Sequence, residues 1–129
     1  MVEIMDTTLR DGEQTQGVSI LPEEKLTIAK SLLERVKVDR IEIASACVSE
    51  GEKRAVTMIT DWAEKNGYLK SIEMLGFVDI TRSPDWIGES GGRVINLLTK
   101  GSYRHLTEQL RKTPEQHVKD IAETLQYCE

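Results

Sequence analysis

Residues 6–14 read DTTLRDGEQ, and this stretch decides how the whole chain is interpreted. It follows directly on the short apolar segment 2–5, which predicts a first β-strand. The loop after this strand carries two acids, an arginine, a glutamine and a glycine, so it places ionisable groups where a fold normally uses few of them. We interpret this loop as the edge of an active site.

The residue types in this loop suggest a chemistry. The carboxylate of Asp11 is a hard oxygen ligand for a divalent cation. The neighbouring guanidinium of Arg10 keeps its charge at all relevant pH values, so it would offset negative charge that develops on a substrate oxygen. For an isolated Arg-Asp-Gly, an ordinary surface loop with an ion pair and a glycine turn is the alternative.

Strand and helix patterns alternate along the rest of the chain. Strands are predicted at residues 2–5, 40–44, 71–77 and 94–98, from short apolar runs between turn signals. Helices are predicted at 22–36 and 52–65, the second ended by Asn66-Gly67, and from Ser83 as N-cap to Gly91-Gly92. Tyr103, Leu106 and Leu110 indicate a further short helix, and residues 113–116 form a capping box before the last one.

This alternation predicts an α/β fold with a parallel sheet and right-handed crossovers. By itself it fits either a doubly wound sheet or part of a barrel. No glycine-rich dinucleotide loop and no phosphate-binding Gly-Lys-Ser/Thr follows the first strand, which weakens the nucleotide-binding alternatives.

The stretch at residues 6–14 resembles the first-strand signature of the pyruvate carboxyltransferase superfamily, the metal-dependent acyltransferases and lyases. The resemblance continues through residues 37–46, 73–79 and 96–102, and it is closest to the citramalate synthase and 2-isopropylmalate synthase branch. It implies a TIM barrel and an acyltransferase of branched-chain amino acid biosynthesis, which condenses acetyl-CoA with a 2-oxo acid, pyruvate being favoured. Hydroxymethylglutaryl-CoA lyase chemistry fits the third and fourth strand segments less well.

The resemblance also implies site residues. Asp11 would be a metal ligand, the metal being Mg, Mn or Zn, and Arg10 and Gln14 would bind substrate, with Arg10 also stabilising the developing alkoxide. Leu75 and Leu98 would form an apolar wall around the small substituent of the 2-oxo acid, although each is also an ordinary core leucine in the absence of the motif.

Glu42 stands within the second predicted strand, between Ile41 and Ile43, so it projects to the opposite face from these two residues. An uncompensated carboxylate inside a barrel is costly, and Glu42 therefore needs a partner. The resemblance implies a catalytic acid near the metal centre, while the alternative is an internal ion pair with Arg10 or Arg40.

Length limits what this chain can do. A TIM barrel typically needs about 250 residues, whereas this chain has 129, so residues 1–129 are expected to form the N-terminal half of a barrel without a second domain. The family's His-X-His metal ligands are missing. His105 and His117 are predicted to be surface or packing residues. The chain is therefore either a segment completed by a second half, inactive alone, or a catalytically dead half-barrel that self-associates or binds a partner.

Composition excludes several partner classes. Charged residues make up 30% of the chain and the net charge is −5, so nothing favours binding to nucleic acid. No apolar run approaches the roughly 20 residues of a membrane span, and a cytoplasmic protein is expected. Cys47 and Cys128 lack metal-type spacing and are expected to be free thiols.

Overall fold

A computed structural model describes all residues, 1–129. Four strands form one sheet: β1 (Met5–Asp6), β2 (Arg40–Ser45), β3 (Ile72–Phe77) and β4 (Ile95–Leu98). Each strand pairs in parallel with the next one in the sequence, so the order across the sheet is β1-β2-β3-β4. The predicted α/β class and the parallel sheet are confirmed.

Helices connect the strands. The four α-helices are α1 (Pro22–Lys30), α2 (Glu50–Asn66), α3 (Arg82–Glu89) and α4 (Pro114–Cys128). A π-helical turn, Ser31–Val36, continues α1, and a second one, His105–Leu110, precedes α4. Short 3-10 turns lie at Gly12–Gln14 and Leu69–Ser71. No helix combines the length and the apolar character needed to cross a membrane.

The strand order distinguishes between the two folds that the sequence left open. Right-handed crossovers between sequential neighbours place every connecting helix on the same face of the sheet. A doubly wound sheet reverses its strand order and so carries helices on both faces. The sequential order seen here is that of a barrel wall, and the chain forms a partial TIM barrel of four βα units.

The helix-covered face of the sheet contains the hydrophobic core. Ile41 and Ile43 of β2 and Ile72 and Met74 of β3 are fully buried on this face. They pack in one cluster with helix residues that include Ala29, Leu33, Val56, Ile59 and Ala63. Burial of apolar side chains on this face holds the unit together, and the opposite face has no helix of its own.

Most predicted element boundaries lie within two residues of the observed ones. Gly67 ends α2 with a φ of 79°, a left-handed conformation that glycine adopts without strain, as the sequence predicted. The hydroxyl of Thr113 accepts a hydrogen bond from the Gln116 backbone N–H and caps α4, also as predicted.

Two local predictions are wrong. The first strand comprises Met5–Asp6 and not residues 2–5: the backbone N–H of Ile4 donates to the side chain of Asp39 at 2.6 Å, and only the Ile4 carbonyl accepts from backbone N–H groups, those of Asp39 and Arg40. Ser83 is not an N-cap: α3 begins at Arg82, and the buried Ser83 hydroxyl accepts from the Phe77 N–H and donates to Asp79. In the first case a contact between distant segments overrides the local signal, and in the second the hydroxyl is used within the turn between β3 and α3.

Candidate active site

The loop after β1 is folded back on its own backbone. The N–H groups of Arg10, Asp11 and Gly12 all point to the carbonyl of Thr7, at 3.1, 2.8 and 3.2 Å. Leu9, 1% exposed, anchors the loop in the core. These contacts hold Arg10 and Asp11 at the carboxyl end of β1, which is the edge where barrel enzymes place their reacting groups.

Arg10 lies between two carboxylates. Its Nε donates to Glu42 Oε2, and its Nη1 donates to Asp11 Oδ1 at 2.9 Å. The Arg10 side chain is 20% exposed, whereas that of Glu42 is fully buried. A guanidinium carries five N–H donors, so about three remain for a ligand after these two bonds. The arginine is therefore fixed in place and still able to bind an anion.

Glu42 has partners for both of its oxygens. Besides the ion pair with Arg10, its Oε1 accepts from Asn96 Nδ2 at 2.7 Å. Of the two ion pairs that the sequence left open, the one with Arg10 forms. Arg40 instead pairs with the buried Glu73, with Nη1 and Oε1 separated by 2.7 Å. Whether Glu42 takes part in a reaction remains a prediction, and its contacts give it a role in positioning Arg10.

Asn96 is a site residue that sequence reasoning missed. It lies in β4 and pairs in register with Leu75. The available signal was its polarity: Asn96 interrupts the apolar run 94–98, two residues before Leu98 and hence on the same face of the strand.

A buried lysine of the helical layer also contacts the loop that follows β1. Lys25 of α1 is 2% exposed and contacts carboxylates from two other segments. Its Nζ pairs with Glu13, which lies in the loop, and with both oxygens of Glu52 in α2 at 2.7 and 2.8 Å. Because a buried ammonium needs compensation, this arrangement ties the loop to the helical layer. The sequence analysis did not identify Lys25.

The remaining predicted residues lie on or near the uncovered face. Leu75 is half-buried, and Leu98 is more exposed and pairs in register with Phe77. Both leucines are on the same face as Asn96, and their place in an apolar wall around a substrate stays a prediction. Gln14 is exposed and makes no side-chain hydrogen bond, so the structure shows no role for it.

The chain does not supply a complete metal centre. Asp11 is exposed, and only its Oδ1 is engaged, by Arg10. No group of three or more His, Cys, Asp or Glu side chains lies close enough to hold an ion. His105 is exposed on its helical turn and His117 is buried in α4. The role of Asp11 as a metal ligand stays a prediction, and no such group of side chains in residues 1–129 includes it. Cys47 and Cys128 are free, as predicted.

Comparison with known proteins matches this chain to one family and to synthases. The family described as HMGL-like matches residues 1–129. A 2-isopropylmalate synthase of Polynucleobacter asymbioticus is 36% identical over 127 residues, covering 98% of this chain and 24% of the relative. An (R)-citramalate synthase of Methanocaldococcus jannaschii is 37% identical over 131 residues, covering 99% of this chain and 25% of the relative. The chain spans about a quarter of the length of these relatives.

Proposed function

This chain belongs to the HMGL-like family, and on that basis we propose that it forms the N-terminal part of a barrel that condenses acetyl-CoA with a 2-oxo acid. The relatives it matches are named 2-isopropylmalate synthase and citramalate synthase, which are acyltransferases of this kind. The observation that carries the proposal is the ion pair between Arg10 and the buried Glu42, beside the exposed carboxylate of Asp11.

Arg10 has the central role in the proposed reaction. The enolate of acetyl-CoA attacks the keto carbon of the 2-oxo acid, a carbon–carbon bond forms, and the carbonyl electron pair moves to oxygen. The free N–H groups of Arg10 stabilise the negative charge on that oxygen, in a site where the guanidinium is already oriented by Glu42. Hydrolysis of the thioester then releases CoA and the 2-alkylmalate.

Asp11 is proposed as one ligand of a divalent metal ion, with Mg, Mn and Zn as candidates, and the other ligands come from outside residues 1–129. When bound, such an ion supplies Lewis-acid polarisation of the keto group. The roles given to Arg10 and Glu42 do not depend on which metal is used.

Pyruvate is the proposed 2-oxo acid. Leu75 and Leu98 are branched side chains on the face that carries Asn96. We expect them to leave room for a methyl substituent and to crowd an isopropyl group. Use of 2-oxoisovalerate is the alternative, favoured by the 2-isopropylmalate synthases among the relatives. The proposal includes a cytoplasmic location, which fractionation of expressing cells would test.

The partner proposed for this chain is a complementary barrel half. The chain exposes 8159 Å², whereas a compact protein of 14.6 kDa exposes roughly 6,900 Å². The excess is on the order of the area that one partner buries in a stable interface. A second possibility, supported by the same open face, is a catalytically dead half-barrel that serves only for association.

A complementation assay tests the function. We expect no CoA release from acetyl-CoA and pyruvate with the purified chain alone, because one carboxylate does not form a tight metal site. Addition of the C-terminal part of the matched citramalate synthase, with a divalent metal, should produce CoA release. Arg10→Ala should abolish it, and the exposed-site control Lys70→Gln should not.

Two results would contradict the proposal. If the two parts co-elute as a stable complex but activity is not restored, the catalytically dead half-barrel that serves only for association is favoured. Activity that survives Arg10→Ala would remove the arginine from the mechanism.

A further inference from the structure

The buried ammonium of Lys25 joins three segments of the chain. The residue is 2% exposed, and its Nζ lies against three carboxylate oxygens, both of Glu52 at 2.7 and 2.8 Å and Oε2 of Glu13. An ammonium carries three N–H donors, so these oxygens can use all of them. Lys25 belongs to α1, Glu52 to the first turn of α2 and Glu13 to the loop after β1. One side chain therefore holds two helices and the loop together.

Compensation of the buried charge requires only one of the two carboxylates. Glu52 binds the ammonium with both oxygens and neutralises it. The carboxylate of Glu13 adds a second negative charge to a cation that is already balanced, and its side chain is only 24% exposed, so it loses hydration. Such a contact is weak evidence for a gain in stability. Its clear structural consequence is that it fixes the loop.

Glu13 is connected to the candidate active site through a continuous run of backbone hydrogen bonds. The Asp11 carbonyl accepts from the Gln14 N–H at 3.1 Å, and the Asp11 N–H donates to the Thr7 carbonyl at 2.8 Å. Displacement of the 3-10 turn Gly12–Gln14 therefore displaces Asp11 as well. The carboxylate of Asp11 makes one side-chain hydrogen bond in this chain, so its position depends on the turn.

We propose that Lys25 is a positioning residue of the candidate active site, and that it holds Arg10 and Asp11 in place through Glu13. Glu42 fixes the guanidinium of Arg10 from the sheet, whereas Lys25 fixes the backbone of the loop from the helical layer. The inference rests on the proposed function for the identity of the ligand, which is the 2-oxo acid. Because misplacement of a binding group by about 1 Å can lower a rate on the order of a hundredfold, loss of this contact should impair use of the 2-oxo acid.

The two carboxylates around Lys25 provide a matched pair of variants. Lys25→Met leaves both carboxylates without their cation, so loss of the fold would mask any effect on the loop. Glu13→Ala and Glu52→Ala each remove one carboxylate and leave the other to pair with the ammonium. Only Glu13→Ala releases the loop. If Lys25 had a purely structural role, the two variants would behave alike.

Amide hydrogen exchange measured by NMR tests the positioning in the chain alone, without a partner or an activity. The N–H groups of residues 10–12 are protected by their bonds to the Thr7 carbonyl. We expect these amides to exchange about tenfold faster in Glu13→Ala and at the unmodified rate in Glu52→Ala, because only the first variant frees the loop to open locally. The Met74 amide, in the core strand β3, reports any change in global stability.

Steady-state kinetics of the complemented enzyme test the consequence for the reaction. Glu13→Ala should raise KM for pyruvate about tenfold and leave KM for acetyl-CoA unchanged, because Arg10 and Asp11 are proposed to act on the oxo acid. Glu52→Ala should change either KM by less than about twofold. A general loss of structure would not separate the two substrates in this way.

Faster loop exchange confined to Glu13→Ala supports the inference. Faster exchange in both variants, or in neither, would overturn it and leave Lys25 with charge compensation only. Equal rises in KM for the two substrates would also overturn it. An unmodified complemented enzyme without activity would instead contradict the proposed function, and the exchange rates would still decide whether Lys25 holds the loop.

Discussion

The ion pair between Arg10 and Glu42 links a buried carboxylate to the orientation of a partly exposed guanidinium. Glu42 is buried on the face of the sheet that lacks helices, and its two oxygens bind Arg10 and Asn96. A buried carboxylate of this kind contributes little net stability when it is paired, but loss of one partner leaves the other charge uncompensated. The same contact fixes the orientation of the guanidinium, which in the proposed function binds the substrate anion.

Glu42→Ala should therefore lower the free energy of unfolding by about 3 kcal/mol, since it leaves Arg10 without its buried partner. Glu42→Gln should cost less, because the amide oxygen still accepts a hydrogen bond. Urea denaturation followed by circular dichroism measures both. The control is Glu108→Ala, which removes the exposed pair with Arg104 and should cost less than about 1 kcal/mol. Equal losses in Glu42→Ala and the control would show that the Arg10 pair is solvent-screened.

Leu75 and Leu98 carry the substrate prediction. In the complemented enzyme, Leu75→Ala or Leu98→Ala should shift the ratio of kcat/KM toward 2-oxoisovalerate by roughly tenfold, because methylene-scale changes in an apolar pocket are worth about 1–3 kcal/mol. Leu32→Ala, on the helix-covered side, should leave the ratio unchanged. If the unmodified enzyme already prefers 2-oxoisovalerate, or the variants lose both substrates equally, the two leucines have only a packing role.

The segment around α4 is stabilised by local electrostatics. Lys112, in the turn before the helix, donates to Asp120, and Gln116 donates to the same carboxylate at 2.7 Å. The hydrogen bond from Lys112, followed by that from Gln116, lowers the pKa of Asp120 below its ordinary value. These contacts join the start of the helix to the loop that precedes it.

The lowered pKa of Asp120 makes the stability of the chain depend on pH in a definite direction. Because the pKa of Asp120 is lower in the folded state, its contribution is fully present above the unfolded value of about 3.9 and is lost as the pH falls through the folded value. The stability difference between the unmodified chain and Asp120→Asn should be largest near neutral pH and should shrink in acid below that value. Thermal unfolding between neutral and acidic pH measures it. Asp61→Asn, at an exposed position without a partner, should show no such change, and a constant difference for Asp120→Asn would contradict the shift.

The molecule as a whole is an open structure. Its helices cover one face of the sheet, while Phe77 and Leu98 remain exposed on the other, at 40% and 41%. β1 and β4 are edge strands, and uncovered edges with adjacent apolar groups favour association.

We therefore expect the chain to self-associate when no complementary half is present. Sedimentation velocity at roughly tens of micromolar should show a mass that rises with concentration. Phe77→Glu should reduce this association, whereas Val118→Glu, on the outer surface of α4, should not. A chain that remains monomeric over this range would contradict the prediction.

The sequence by itself determined the order of strands and helices, the end of α2 at Gly67 and the cap of α4 at Thr113, and it indicated the candidate site in the loop after β1. These features depend on spacings of a few residues, where periodicity and capping act directly on the backbone. The family was also accessible, because its signature lies in one continuous stretch.

Only the tertiary structure decided which groups meet. Arg10 and Glu42 are 32 residues apart and Glu42 and Asn96 are 54 apart, so their contact depends on the register between strands. The hydrophobic pattern decides which face of each strand is buried, but which residue of one strand lies opposite which residue of the next is decided where the strands pack together. For the same reason, the sequence did not show that Arg40 binds Glu73, that Lys25 holds Glu13, or that both nitrogens of His117 lie buried without a partner.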